Sequence, residues 1–192
     1  SGVFRIFAHQ LYDHFHHALG VYESQYKGSS RPFYFSVFSA ATFYLGNKPR
    51  RVMDDDLAWG WSAITALGDF NASNGGHIIL WDLNLVVRLP AGSTILIPRA
   101  LIRYSFVRIA PGESRYSLVQ FTPAPIFRFA ANGGRSDLDF ARDASEKEHL
   151  DREARREAAQ DGHIAQEMYS DLSELSDAYY SFPIPPPPPG RA

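Results

Sequence analysis

The chain has no cysteine. That excludes a disulfide scaffold, a thiolate zinc site and a cysteine nucleophile together, and it fits a reducing compartment. Long apolar runs are also missing. None approaches the roughly 18 residues that a membrane span requires, so the expectation is no membrane segment. No stretch repeats with a period of about 20–50 residues, which argues against a propeller or solenoid. There is no signal-peptide pattern, and the chain opens Ser-Gly-Val-Phe without a methionine, as a fragment or a processed chain would. What is present is enough for a core: 45% of the 192 residues are hydrophobic and 14% aromatic, which excludes wholesale disorder. The length implies one domain with appendages.

The net charge of −2 hides an asymmetry. Asp143 to Asp177 holds eleven acids and four bases, a net −7, and the rest of the chain carries +5. Between Arg99 and Arg135 six arginines face one acid, Glu113. A basic core beside an acidic tail suits an anionic partner or a pairing of core with tail.

Leu11, Phe15, Ala18, Leu19 and Tyr22 recur at three- and four-residue spacing and predict a helix over residues 8–26. Short β-rich runs follow at 33–45, 59–67, 77–81, 85–89, 94–97 and 116–121, parted by turn signals such as Asn74-Gly75-Gly76 and Pro111-Gly112. That spacing suggests a sandwich, a jelly roll or a small barrel. From Asp143 onward the chain is helical again. Ser145 and Glu148 have the spacing of a capping box, and the charged residues beyond them predict a solvated helix that docks weakly. The division is therefore residues 1–142 as the β domain, 143–178 as an acidic helical appendage and 179–192 as a proline-rich tail. Pro185 to Pro189 predicts polyproline II and suits either an aromatic-lined groove on a partner or a disordered end.

Several chemistry-bearing groups have plain structural readings. His14 and His17 share a helix face, but with only Asp13 nearby they read as a solvated surface rather than a metal site. Asp54-Asp55-Asp56 reads as an acidic loop, since at most two neighbouring carboxylates converge from a strand. Trp59, Trp61 and Trp81 read as core residues and His77 as a strand-start hydrogen-bonding group.

The stretch from Gly75 to Gln120, GGHIILWDLNLVVRLPAGSTILIPRALIRYSFVRIAPGESRYSLVQ, is more specific. Together with Leu57-Ala58-Trp59-Gly60-Trp61 it resembles the TET/JBP-like group of 2-oxoglutarate- and iron(II)-dependent oxygenases, in the form expanded in basidiomycete fungi near transposons. The resemblance runs from Ser36 to Gly133. It implies a mainly β fold: a double-stranded β-helix, or jelly-roll, core with an N-terminal helix and an acidic C-terminal helix. It also implies Fe(II) and 2-oxoglutarate as cofactors, oxidation of a methylated nucleic-acid base as the family activity, DNA as a partner, and an intracellular location, nuclear if the substrate is DNA.

The matched positions depart from the family at the metal. The late-strand histidine falls on Tyr104, and a tyrosine does not complete the ferrous triad. The early His-x-Asp falls on Arg51 and Met53, or on Val52 and Asp54 with one deletion, so no register supplies the histidine and Asp54 is the residual ligand. Arg115 stands where the family's 2-oxoglutarate arginine stands. Arg99, Arg103 and Arg108 are candidates for phosphate contacts. A silent oxygenase relative, a nucleic-acid-binding module, a transposon-era relic and a gene model lacking a short exon all stay open. In the double-stranded β-helix that the resemblance implies, the strand of Arg115 faces the interior. An anion must then face it: a 2-oxoglutarate carboxylate, bound buffer, or an internal acid, with Glu113 and Asp82 as the candidates and an internal acid the favoured one.

Overall fold

A computed structural model describes residues 2–26, 33, 35–45, 57, 59–160, 168–171 and 173–175, without side chains for 158–160. The helix expected near the N-terminus is α2 (His9–Gln25), and its stripe is buried as the spacing requires, with Leu11, Phe15, Ala18 and Leu19 inside. A short helix not foreseen, α1 (Gly2–Phe7), precedes it and buries Phe4. Seven strands follow among the described residues: β1 (Ala40–Leu45), β2 (Trp61–Asp69), β3 (Ile78–Leu80), β4 (Leu85–Val87), β5 (Thr94–Pro98), β6 (Tyr104–Phe106) and β7 (Ser114–Phe121).

They form two antiparallel sheets, ordered β1-β7-β2-β5 and β4-β3-β6. First and last strands lie side by side, and from β4 on the chain alternates between sheets. That is jelly-roll wiring, so the mainly β core with flanking helices is the observed fold.

Two apolar cores result. Ile64, Ile97 and Val119 from the larger sheet meet Ile78, Leu80 and Tyr104 from the smaller one, closing the space between them. On the other face of the larger sheet, Ala63 and Phe38 pack against Phe4, Phe15 and Phe127. Central β2 is therefore buried on both sides, Ala63 toward the helices and Ile64 toward the second sheet.

After β7 come α3 (Ala124–Ala131), α4 (Asp137–Asp143) and α5 (Glu146–Gln160). The capping box forms as its spacing implies: the Glu148 backbone N–H donates to Ser145 Oγ at 3.3 Å, and the Ser145 N–H donates to Glu148 Oε2 at 2.8 Å. Ser145→Ala is expected to cost about 1 kcal/mol, read as lost helicity and earlier amide exchange in residues 146–150. The acidic helix docks more firmly than its composition suggests. Glu148 pairs with Arg135, Arg152 with Asp137, and the His149 ring meets Phe140 edge-on at 5.3 Å. Met168 and Tyr169 then return to the helix-side core, where Tyr169 Oη accepts a hydrogen bond from Trp61 Nε1 at 3.2 Å.

Candidate functional site: a buried arginine between the sheets

Along β7 the inward positions are Arg115, Ser117 and Val119, as the two-residue period of a strand dictates. Arg115 is 3% exposed. Its guanidinium carbon sits 3.9 Å from the Phe106 ring centroid and 5.7 Å from that of Phe70, and its Nη1 donates to Ser117 Oγ at 2.9 Å. Nε and Nη2 are buried without an acceptor. Burial alone pulls the guanidinium's pKa down to about 10, so it still carries its charge at neutral pH.

Neither acid expected opposite Arg115, Glu113 or Asp82, faces it. Glu113 is committed to the turn beside β7, accepting from the backbone of Asn71 at 2.8 Å and of Ala110 at 2.9 Å. Asp82 accepts from the Arg103 backbone at 2.6 Å and from Arg103 Nε at 2.7 Å. Both carboxylates therefore serve loops. Among the described residues Arg115 is left with one neutral hydroxyl and an aromatic face, a partial substitute for a counter-charge.

Three glycines let the backbone close around this side chain. Gly68 pairs with Arg115 across β2 and β7, has φ +110°, and a methyl there would run into the Ser114 carbonyl. Gly75 is packed against the Arg108 carbonyl, leaving no room for a Cβ. A Cβ on Gly76, whose φ is +71°, would stand 2.5 Å from Phe70 Cε2 and 3.2 Å from Arg115 Cδ. The double glycine before β3 is thus what lets Phe70 lie over the guanidinium.

Tyr104 lies on β6, 4% exposed, opposite Leu80 and edge-on to Phe106 at 5.8 Å. It fills the apolar space between the sheets. Among the described residues no three histidine, aspartate or glutamate side chains are placed to share a cation. Arg51, Val52, Met53 and Asp54 lie outside the described residues.

The three arginines proposed for phosphate do not make one exposed face. Arg99 is 8% exposed, donates to Ser62 Oγ at 3.3 Å and lies over Phe121. Asp82 neutralises Arg103. Arg108 is exposed. The resemblance singled out Arg115; Ser117 was not expected beside it, although strand alternation could have found it, and Phe70 and Phe106 are brought to it only by the pairing of distant strands.

No family model matches the chain, and no curated protein matches it. Among solved structures it is similar to NgTET1 in complex with 5mC DNA, at 19% identity and a TM-score of 0.43, over 53% of this chain and 40% of that one. The chain thus spans less than half the length of that structure. Identity and score at that level add nothing to what the strand order shows.

Proposed function

We propose that this chain is a jelly-roll protein of the 2-oxoglutarate-oxygenase type that binds a small dicarboxylate at Arg115 and does not oxidise a partner with it. The observation that carries this reading is the interior guanidinium with two unsatisfied nitrogens. A buried cation without a counter-charge is costly, and a carboxylate supplies charge and paired acceptors together. 2-Oxoglutarate suits the site by that chemistry: Arg115 would grip one carboxylate from Nε and Nη2, and Ser117, already bonded to Nη1, would hold the guanidinium plane.

The residues do not fit a ferrous centre in the same way. The sequence offers tyrosine where the late histidine belongs, and that phenol is packed among apolar side chains. The early position offers Arg51 or Val52 in place of histidine. No catalytic step is therefore assigned. Calorimetric titration with Mn(II), a redox-stable surrogate for Fe(II), is expected to give no sub-micromolar site. One stoichiometric tight site would overturn the silent reading and restore an enzyme.

A nucleic-acid face has less behind it, with Arg99 inside the fold and Arg103 neutralised.

A further inference from the structure

Away from Arg115, the helices covering the outer face of the larger sheet enclose a cavity of about 540 Å³ bordered by α2, α3, α4 and α5. Its floor is aromatic. The His14 ring meets Trp59 edge-on at 4.7 Å and lies parallel to Phe127 at 5.5 Å, and Trp59 meets Phe127 at 4.6 Å. His14 Nε2 is buried there without a partner. Its rim is cationic. Arg152, Arg155 and Arg156 recur at three- and four-residue spacing, so one face of α5 presents a row of guanidinium groups.

The charges are only partly offset. Among the described residues Asp137 is the one acid lining the cavity, and it is shared by Arg128 at 3.1 Å and Arg152 at 2.8 Å. Arg155 donates to the carbonyls of Asp151 and Ala131, both at 3.0 Å, which orient its plane and leave its charge unneutralised. Arg156 is exposed. Two arginines therefore stand at the mouth of an aromatic cavity with no carboxylate of their own among the described residues.

We propose that this cavity binds a planar heteroaromatic ring carrying a phosphate, a ligand of the nucleoside monophosphate class. The volume falls in the range of small-molecule sites, which are mostly apolar with a few placed polar groups. An aromatic wall takes a flat ring, and the lone His14 nitrogen gives that ring one edge to bond. Guanidinium forks match phosphate oxygens two at a time. A bare phosphate would leave the floor unused; a neutral ring would leave the arginines unpaired. The proposal is independent of the Arg115 reading.

The test is calorimetry on the full chain at low salt with adenosine monophosphate, adenosine and ribose 5-phosphate. The monophosphate is expected to bind at least tenfold more tightly than either part. Arg156→Ala, at an exposed position, should weaken it severalfold, and the pair R155A/R156A at least tenfold. His14→Phe keeps the ring packing and removes the nitrogen; it should weaken the monophosphate and leave ribose 5-phosphate unchanged. Equal affinity for the monophosphate and ribose 5-phosphate would overturn the proposal. So would undiminished binding by R155A/R156A that melts like the parent.

Discussion

2-Oxoglutarate, at about a hundred times its dissociation constant, is expected to raise the melting temperature by roughly 5–10 °C, and Arg115→Met should abolish the rise. Saturation at that level stabilises the folded state by about 2.7 kcal/mol through mass action. For a chain of this size each kcal/mol moves the midpoint by roughly 2–4 °C. The companion effect has the opposite sign and is the stronger discriminator. Without ligand, Arg115→Met should melt higher than the parent, by about 1–3 kcal/mol, because it replaces a buried, half-satisfied cation with an apolar chain of similar length. Burial holds the folded-state pKa at about 10, below that of a guanidinium in the unfolded chain. The unfolded chain therefore binds the proton more tightly. The resulting penalty is fully present below about pH 10 and is relieved as pH rises toward the unfolded value. At neutral pH the parent carries all of it. Arg115→Lys should keep the penalty and much of the charge while losing the two-pronged grip, giving a smaller ligand response. Thermal scans at pH 7 of the three proteins, with and without 2-oxoglutarate, check each part. A structural arginine would behave differently: its removal would destabilise the protein, and 2-oxoglutarate would move neither midpoint.

Gly68→Ala is expected to be the most damaging single-methyl change near the site, costing about 3–5 kcal/mol. Two effects add there. The residue has φ +110°, a conformation that L side chains rarely adopt, and the new Cβ would meet the backbone of Ser114, which cannot swing aside. Gly92→Ala is the control, with φ +85° and open space around it, and should cost only about 1–2 kcal/mol. Because Gly68 pairs with Arg115, the damage should also reach the arginine's surroundings. The variant should lose the 2-oxoglutarate response at temperatures where circular dichroism still shows sheet. Equal midpoints for the two alanine variants would mean that the β2–β7 approach at Gly68 is looser than described.

The elements that the sequence revealed are those whose signal is local. The α2 stripe needs only its own spacing, and the capping box lies within four residues. The strands around Asn74-Gly75-Gly76 and Pro111-Gly112 are bracketed by turn residues. Of the elements that escaped, α4 among them, three did so for evident physical reasons. α1 and α2 are separated by Ala8 alone, at φ −155°, which leaves no compositional mark. β6 is three residues long, too short for an alternation to show. α3 starts at Pro123-Ala124-Pro125, which reads as a turn, although proline is well suited to a helix's first turn. The site divides in the same way. The resemblance and the β-helix it implies put Arg115 inside. Which group faces it depends on where the loops bearing Glu113 and Asp82 spend their carboxylates, and that is decided by residues 71, 103 and 110. The arginine row on α5 was not singled out, because without α3 and α4 opposite it these residues belong to a solvated helix face.

Calorimetric titration of the full chain with 2-oxoglutarate in excess EDTA tests the carboxylate site most directly. Chelation separates the arginine's contribution from any metal-assisted binding. One stoichiometric site is expected, retained in EDTA, weakened by Arg115→Lys and absent in Arg115→Met. No heat of binding in the parent, or binding that Arg115→Met leaves intact, would contradict a carboxylate pocket built on Arg115.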